Sequence, residues 1–346
     1  MDRRVRTRKR INLALQGGGA HGAFTWGVLD RLLDDDWLEI AAISGTSAGA
    51  LNGAAFKAGM ATGGRDGARA ALRALWERVG AFEFNDVPGI DWFKPFMAGA
   101  EYAASVAESF MPVSPAELAA QMVSPYDWGP LWSNPLEPAV RALKIDEVHA
   151  HAGPRLFVAA TNVHTGKVRV FGDAEVTHEA ILASACLPTF FKAVEIDGQH
   201  YWDGGYSANP ALHPLYDPGL PDDVVIVSLN PLFRPEVPDN VQEILNRINE
   251  ISFNAALLRD LRAIAFVKRL IAQGAVQKGA MKDVLVHLID DEPLMRSLSV
   301  RTKIAPTPLL LDRLFEAGRK AADRFLAAHA KDLNKRATVD LVAMFD

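Results

Sequence analysis

Two short apolar runs near the start of the chain, each ending at a glycine-containing turn, constrain the fold more than any other feature. The first run, INLALQ at 11–16, stops at three consecutive glycines, and apolar residues then recur at helical spacing over about 20–36. The second run, EIAAISG at 39–45, is followed by an alanine-rich stretch that is typical of a helix. Strand, helix, strand and helix with short connections predict a right-handed crossover and a parallel sheet.

The rest of the chain extends this α/β pattern. The further predicted elements are a hairpin over 155–171, helices over 178–188, 239–273 and 309–330, a short strand over 193–202, and buried strands over 224–231 and 284–290. The stretch 84–132 differs, because it is rich in proline and aromatic residues. We interpret it as loops and short helices over the sheet, which either pack on the protein or form a cover that contacts substrate or membrane.

Composition narrows the functional classes. The chain has 346 residues and a net charge of −5, and the body beyond its basic start is more acidic still, which disfavours nucleic-acid binding. The single cysteine, Cys186, permits no internal disulfide and favours a reducing, cytoplasmic location. No run reaches the ~18 apolar residues of a membrane span.

The first ten residues, MDRRVRTRKR, contain six basic side chains. No long apolar stretch follows them, so they are typical of neither a secretory signal nor a membrane anchor. Two interpretations stay open at this point: a solvated terminus, or a tip attracted to an anionic membrane surface. The long helix predicted over 239–273 likewise either packs on the core of the protein or faces lipid or a second copy of the chain.

The second strand-to-helix turn contains G-x-S-x-G, spelled Gly45-Thr46-Ser47-Ala48-Gly49. This context is what a nucleophile elbow requires, because small residues must flank a serine that projects from the carboxyl end of a strand. The helix start also directs its partial positive charge toward the serine oxygen. The motif therefore indicates either a catalytic Ser47 or a tight structural turn.

The glycines after the first strand, Gly17 to Gly22, also spell G-x-G-x-x-G. A dinucleotide site needs an acidic residue at the end of the next strand, about 20 residues on, and that strand ends at Ser44 to Ser47 instead. A Walker-type phosphate loop fails because no Gly-Lys-Ser/Thr follows. The remaining interpretation is an anion cradle, in which the N–H groups of Gly18, Gly19 and Ala20 face Ser47 and bind a developing oxyanion.

A serine nucleophile needs a base, which is commonly a histidine held by a carboxylate. His213 is the least implausible histidine, and His21 beside the cradle is as well explained by capping or packing. Asp203 is a different candidate, since it follows the short strand and precedes two glycines in HYWDGGYSANP. Taken alone, Asp-Gly-Gly is typical of an ordinary turn.

The motifs GGGAHG, GTSAG and DGG, in this order, resemble the three signatures of the patatin-like phospholipase family. NPL at 134–136, VAATNVHTGKVRVF and ASACLPTFFKAVEIDGQHYWDGGYSANP agree with that family, and the resemblance covers about residues 11–215. It implies a Ser–Asp dyad in which Ser47 is the nucleophile and Asp203 the general base, with no histidine. Family members commonly carry Arg or Lys where this chain has His21, so the charge beside the cradle is a point of departure.

The resemblance also implies a fold and an organisation. We expect a three-layer α/β/α protein with a mainly parallel sheet: a basic tip at 1–10, a catalytic core at 11–215, and a C-terminal part at 216–346 that adds one strand and a helical extension. The residues that support the motifs are Gly17, Gly22, Gly45, Gly49, Gly204 and Gly205. Burial of Asp203 would raise its pKa from ~3.9 toward the working pH and make it a competent base.

The expected function is serine-dependent hydrolysis of lipid acyl esters through an acyl-serine intermediate. The expected substrate is a lipid or another acyl ester, with peripheral contact to an anionic membrane. Nucleic acid is not an expected partner, and homo-oligomer formation stays open. No cofactor is implied, and the sequence contains neither a His/Cys/Asp cluster at ligand spacing nor a calcium loop. The alternatives are a soluble carboxylesterase or thioesterase for short acyl chains, and a non-catalytic anion- or nucleotide-binding module.

Overall fold

A computed structural model describes residues 7–81, 124–127, 134–277, 279–304 and 306–345. Its strands are β1 Lys9–Leu15, β2 Leu38–Thr46, β3 Arg155–Asn162, β4 Val168–Gly172, β5 Val194–Ile196, β6 Gln199–Asp203, β7 Asp223–Val227 and β8 Leu285–Ile289. Its α-helices are α1 Gly22–Leu32, α2 Ala48–Gly80, α3 Glu137–Arg141, α4 Ile145–Val148, α5 His178–Ser184, α6 Val241–Ala272, α7 Glu292–Arg296, α8 Val300–Ile304, α9 Pro308–His329 and α10 Leu341–Phe345. Short 3₁₀ turns include Gly19–His21 and Gly204–Tyr206.

The strands form one mixed sheet in the order β5-β6-β3-β2-β1-β7-β8, and β4 also pairs with β3. The central run β3-β2-β1-β7-β8 is parallel, whereas β4 and β6 pair with β3 in the antiparallel sense. The prediction of an α/β fold with a mainly parallel sheet is therefore confirmed. The hairpin predicted over 155–171 is the antiparallel pair β3–β4.

Alternate residues of the strands supply two separate cores, one on each face of the sheet. In β7, Val225 and Val227 belong to the core that includes α1, α2 and α9, whereas Val224 and Ile226 belong to the core that includes α6 and α10. Side chains that alternate along a strand point to opposite faces. The sheet is therefore covered on both faces, which is the predicted three-layer arrangement.

Residues after 216 are built into the same sheet rather than appended to it. They supply two strands, β7 and β8, which confirms the strands predicted over 224–231 and 284–290, whereas the expected division of the chain assigned only one strand to this part. Helix α9 lies directly on α1, so closely that a side chain at Gly27 would collide with the Phe315 carbonyl and one at Gly318 with the Phe24 carbonyl. The helix that follows the glycine loop is thus held by the C-terminal part of the chain.

Two elements differ from their sequence predictions. The single short strand predicted over 193–202 is two antiparallel strands, β5 and β6, because Asp197 and Gly198 both adopt positive φ and form a tight turn. The alanine-rich helix after Ser47 continues to Gly80, with a break at Gly63 and Gly64. The predicted cover over 84–132 lies outside the described residues, apart from 124–127.

The described part of the basic tip lies at the start of β1, at the amino-terminal end of the parallel strands and away from their carboxyl ends. Arg8 and Arg10 both form ion pairs with Glu39, at 3.0 Å. Contact between the tip and an anionic membrane stays a prediction. None of the helices in the described ranges combines the length and apolar character needed to cross a membrane.

Candidate active site

Ser47 occupies a strained turn between the end of β2 and the start of α2. Its backbone has φ 55° and ψ −123°, a conformation that side-chain-bearing residues rarely adopt and that costs on the order of 1–3 kcal/mol. Close packing enforces the turn, because a side chain at Gly49 would collide with the Leu15 carbonyl and one at Gly45 would lie 2.5 Å from the Gly49 carbonyl oxygen. The Ser47 side chain consequently stands at the carboxyl end of the sheet.

The elbow is fastened to the sheet by a second serine. The Ser47 N–H donates to the Ser184 hydroxyl at 2.9 Å, and that hydroxyl donates to the Ala159 carbonyl of β3 at 2.6 Å. Ser184 ends α5 and is fully buried. This relay fixes the backbone of the elbow through one side chain that the sequence analysis did not single out.

The sheet register brings Asp203 to the elbow. Strands β2 and β6 run toward each other along β3, and their last residues meet: Thr46 is opposite Ala159 and Asp203 is opposite Ala160. The Ser47 hydroxyl lies near enough to the Asp203 carboxyl group to favour its ionised form. The structure thus joins two residues that are 156 positions apart in the sequence.

Asp203 is a buried carboxyl group with few polar neighbours. Only 1% of the residue is exposed, compared with 8% for Ser47. Burial raises the pKa of Asp203 to about 7, and the Gly205 N–H and the nearby Ser47 hydroxyl act in the opposite direction. The Gly205 N–H bond is 2.7 Å long. A carboxyl group with a pKa near neutrality both accepts and releases a proton at the pH of most cells.

The remaining motif glycines allow close approach of backbone to neighbouring groups. A methyl group at Gly17 would lie 2.7 Å from Ser47 Cβ, so the glycine loop packs directly on the elbow. Side chains at the other motif positions would collide with Ala48 and Trp76 (Gly22), with the Ala159 carbonyl and the Thr46 side chain (Gly204), and with the ring of Phe253 (Gly205).

The glycine loop presents backbone amides without protein partners. Within the described ranges, the N–H groups of Gly18, Gly19 and Ala20 donate to no protein acceptor. Gly19 has φ +57° and is exposed, whereas Gly18 and Ala20 are buried. Unpaired amides at the start of a helical segment are the feature that binds an anion. Gly17, which precedes them, packs on Ser47, and the role of these amides as an oxyanion cradle stays a prediction.

Side-chain amides hold this loop in place. The Gly17 N–H donates to Asn209 Oδ1 at 2.6 Å, and the Gly17 carbonyl accepts from Asn230 Nδ2 at 3.2 Å. Gln16 Oε1 accepts from the backbone N–H groups of Leu229 and Asn230 at 2.8 and 3.1 Å. Gln16 Nε2 bonds to Asn254 Oδ1 at 3.2 Å.

The sequence analysis missed this amide network. Gln16, Asn209, Asn230 and Asn254 are each at most 3% exposed, and buried amides of this kind are retained only where they are bonded. Gln16, which directly precedes the glycines, and Asn209, in SANP, were available as local signals. Asn230 and Asn254 carried none, because their partners at Gln16 and Gly17 lie more than two hundred residues away.

Neither histidine considered as a base contacts Ser47 among the described contacts. His213 is exposed at the start of a 3₁₀ turn, with Asp260 as a charged neighbour. His21 is buried, and its Nε2 bonds to Thr302 Oγ1 at 2.7 Å. Burial, reinforced by the nearby positive charge of Lys303, lowers the pKa of His21 to about 3. His21 is therefore a neutral packing residue.

The site thus combines a serine in a strained turn, a buried carboxyl group beside it, and unpaired amides in the glycine loop that packs against the serine. Such a set supplies the three requirements of acyl transfer: a nucleophile, a proton acceptor and donors for a negative oxygen. No group of three or more His, Cys, Asp or Glu side chains suited to a metal ion occurs in the described part of the chain.

Comparison with known proteins connects this geometry to a family. Residues 13–216 match the family described as patatin-like phospholipase. No curated protein matches the chain. Among solved structures, VipD from Legionella pneumophila is 14% identical, with 95% of this chain and 72% of that chain covered and a TM-score of 0.43.

Two other solved structures are similar at the same low level. Human GIVD cytosolic phospholipase A2, solved in complex with methyl gamma-linolenyl fluorophosphonate, is 12% identical over 96% of this chain and 60% of that chain, with a TM-score of 0.44. A complex of SpcU with ExoU from the type III secretion system of Pseudomonas aeruginosa gives 15% identity over 92% of this chain and 53% of that chain, with a TM-score of 0.32. This chain therefore spans less than two thirds of these two chains.

Proposed function

This chain belongs to the patatin-like phospholipase family, and on that premise we propose that it hydrolyses acyl esters of lipids with Ser47 as nucleophile and Asp203 as general base. The substrate class follows from the family, and the assignment of residues follows from the site. The non-catalytic anion-binding alternative gives no reason for a serine in a strained turn beside a buried carboxyl group.

The position of the Ser47 hydroxyl beside the buried Asp203 carboxyl group is the observation that carries this proposal. A carboxylate with an ordinary pKa of ~3.9 is a poor acceptor for the proton of an alcohol. Burial brings the pKa of Asp203 to about 7, which increases its basicity while a large fraction stays ionised at neutral pH. A dyad without histidine is therefore chemically competent here.

In the acylation step, Ser47 Oγ forms a bond to the ester carbonyl carbon, and its proton passes to Asp203. The carbonyl oxygen becomes an oxyanion, which accepts hydrogen bonds from the N–H groups of Gly18, Gly19 and Ala20. When the bond between this carbon and the alcohol oxygen breaks, Asp203 returns the proton to the leaving alcohol. The products of this step are an acyl-serine and a free lysolipid or alcohol.

In deacylation, water takes the part of the nucleophile and Ser47 is the leaving group. Asp203 accepts a proton from water, whose oxygen bonds to the acyl carbon, and the same amides bind the second oxyanion. Breaking the bond to Ser47 Oγ releases the fatty acid, and Asp203 returns the proton to the serine. Atoms and protons balance over the cycle, and no residue beyond this set is required for proton transfer.

Labelling with a fluorophosphonate probe tests the proposal directly, together with hydrolysis of phospholipid vesicles. The probe forms a bond from Ser47 Oγ to phosphorus, expels fluoride and leaves the serine proton on Asp203. We expect labelling and fatty-acid release in the wild-type protein, and loss of both in Ser47→Ala. Asp203→Asn should lower both by at least about a thousandfold, because a triad member that removes the proton contributes that much.

His213→Ala is the matched control, because His213 is exposed and bonded to neither Ser47 nor Asp203. It should retain wild-type hydrolysis. Loss of hydrolysis in His213→Ala would favour a conventional triad instead. Full activity in Asp203→Asn would remove the dyad. If the protein hydrolysed short-chain esters and left phospholipid vesicles intact, the substrate would be a soluble ester rather than a lipid.

A further inference from the structure

A lysine from outside the family-matched residues lies against the glycine loop. Helix α8 packs on the 3₁₀ turn Gly19–His21, and a side chain at Gly19 would collide with the carbonyl group of Lys303. Thr302, the neighbouring residue of α8, bonds to His21 of the same loop. The contact therefore has two points of attachment, one to each end of the turn.

The ammonium group of Lys303 bonds to two asparagine side chains, and one of these, Asn230, holds the glycine loop. Lys303 Nζ donates to Asn230 Oδ1 at 2.8 Å and to Asn249 Oδ1 at 2.9 Å. Asn230 Nδ2 in turn donates to the Gly17 carbonyl. Because a primary amide is rigid, fixing its oxygen fixes the direction of its N–H groups. Lys303 thereby orients the donor that holds the residue packed against Ser47.

The same ammonium group reaches toward the carboxylate side of the site. It lies 5.8 Å from the centroid of the Phe253 ring, and that ring packs on Gly205, whose N–H binds Asp203. A cation over an aromatic ring is attracted to its face. Lys303 is thus connected to the glycine loop through Asn230 and to the turn after Asp203 through Phe253.

No carboxylate neutralises Lys303 by direct contact in the described ranges. Glu250, its nearest acidic influence, is already bonded to Arg234 at 2.6 Å and to Arg247 at 3.2 Å. Burial lowers the pKa of Lys303 to about 8, with Glu250 raising it and Arg234 lowering it. A half-buried cation without a paired anion is costly, and such groups are concentrated at functional sites.

We propose that Lys303 is a positioning residue for the oxyanion-binding loop, which it orients through Asn230 and to which it supplies a positive charge. The inference rests on the proposed acyl-transfer function. Its chemical logic is that a negative charge develops at this loop only during reaction, so a fixed cation nearby favours the transition state over the ground state.

Kinetics of Lys303→Met and Lys303→Arg test this role. We expect Lys303→Met to lower kcat and the rate of fluorophosphonate labelling about tenfold, less than the hundredfold or more lost with a direct oxyanion donor, while KM stays within about twofold. Lys303→Arg keeps the charge and should recover most of the loss. Asn249→Ala is the matched control, since it removes the other bond of Lys303 and leaves Asn230 in place.

The pH profile separates charge from packing. The ionisable and charged groups around Lys303 are Glu250, Arg234 and His21. Lys303 itself has a pKa of about 8. Wild-type kcat should therefore decline as pH rises above about 8. Lys303→Met should lack this decline, and Lys303→Arg should shift it beyond the measured range. A merely structural lysine would change the free energy of unfolding without removing the alkaline limb.

The outcomes distinguish this inference from the function on which it rests. Absence of wild-type labelling would overturn the proposed function and the role of Lys303 with it. Wild-type labelling with an equal rate in Lys303→Met would overturn the role of Lys303 alone. An equal loss in Asn249→Ala and Lys303→Met, with unchanged pH profiles, would show that Lys303 only ties α8 to α6.

Discussion

The two loops that face each other at Ser47 are held by different kinds of interaction. The elbow is fixed by steric contact between glycines and backbone, and by the Ser184 relay, all from residues inside the family-matched range 13–216. The glycine loop is fixed mainly by buried amides, and those at 230 and 254, together with Lys303, lie outside that range. The elbow and its support therefore come from the same part of the chain, whereas the glycine loop takes part of its support from residues beyond 216.

The two motifs therefore depend on different kinds of supporting residue. An elbow that depends on close packing needs only small residues in adjacent positions, which is a local property of the sequence. A loop whose amides must point at an anion needs distant partners, because its own hydrogen-bond donors are reserved for the ligand. The part of the chain beyond 216 supplies those partners along with two strands of the sheet.

Among changes to the supports of the two loops, the largest effect is expected where the loops touch. Gly17→Ala would place a methyl group 2.7 Å from Ser47 Cβ and 2.9 Å from the Thr46 carbonyl, so the loops must separate. Because displacement of reacting groups by about 1 Å costs roughly a hundredfold, we expect kcat to fall by at least about that factor. Gly63→Ala is the control, since its methyl group would meet nothing within 4 Å. Near-normal kcat in Gly17→Ala would contradict the close packing of loop on elbow.

A pair of substitutions compares the two supports. Ser184→Ala removes the single side chain that bonds the Ser47 N–H, and we expect kcat to fall about thirtyfold, because a misplaced elbow moves the nucleophile. Asn230→Ala should lower kcat about tenfold, since Gly17 keeps its bond to Asn209. Both rates are measured on one ester substrate beside thermal unfolding. A larger loss in Asn230→Ala would reverse the comparison and make the amide network the more critical support.

The acid limb of the pH profile belongs to the elbow side alone. Asp203 acts as a base only when ionised, and its pKa is about 7, so kcat/KM should fall about tenfold from pH 8 to pH 6. The direction follows from protonation of Asp203 as pH falls. This limb should persist unchanged in Lys303→Met, which alters only the alkaline side. Loss of both limbs on substitution of Lys303 would show that the two loops titrate as one unit.

The sequence was sufficient to predict what is local or periodic. Runs such as INLALQ and EIAAISG are apolar because both faces of their strands are covered, so the parallel sheet could be predicted without coordinates. The turn at Ser47 was also predictable, because its small flanking residues lie next to it. The predicted positions of Ser47, Asp203 and the glycine loop coincide at one place in the structure, and their catalytic roles stay a proposal.

What could not be predicted depends on long-range contact. Lys303 lies in a helix of five residues, too short for a periodic pattern, and its partner Asn230 is 73 residues away. The segment 193–202, expected to be a single strand, is a hairpin because Asp197 and Gly198 form a two-residue turn. The sequence analysis did not recognise this turn. Burial of Asp203, which sets its pKa, likewise depends on the whole assembled sheet.

The smallest effect is expected at Thr302, the second attachment of α8 to the glycine loop. Thr302→Val keeps the shape of the side chain and removes the hydroxyl group that bonds His21 Nε2. Because His21 Nδ1 already lacks a partner among the described residues, the ring would be buried with both nitrogens unpaired, at a cost of about 1–3 kcal/mol in the free energy of unfolding. His21 is neutral and contributes no charge to the loop, so kcat should stay within about twofold, as measured by ester hydrolysis beside thermal unfolding. A loss of kcat as large as that in Lys303→Met would mean that α8 supports the loop by packing, and that the charge of Lys303 has no separate part.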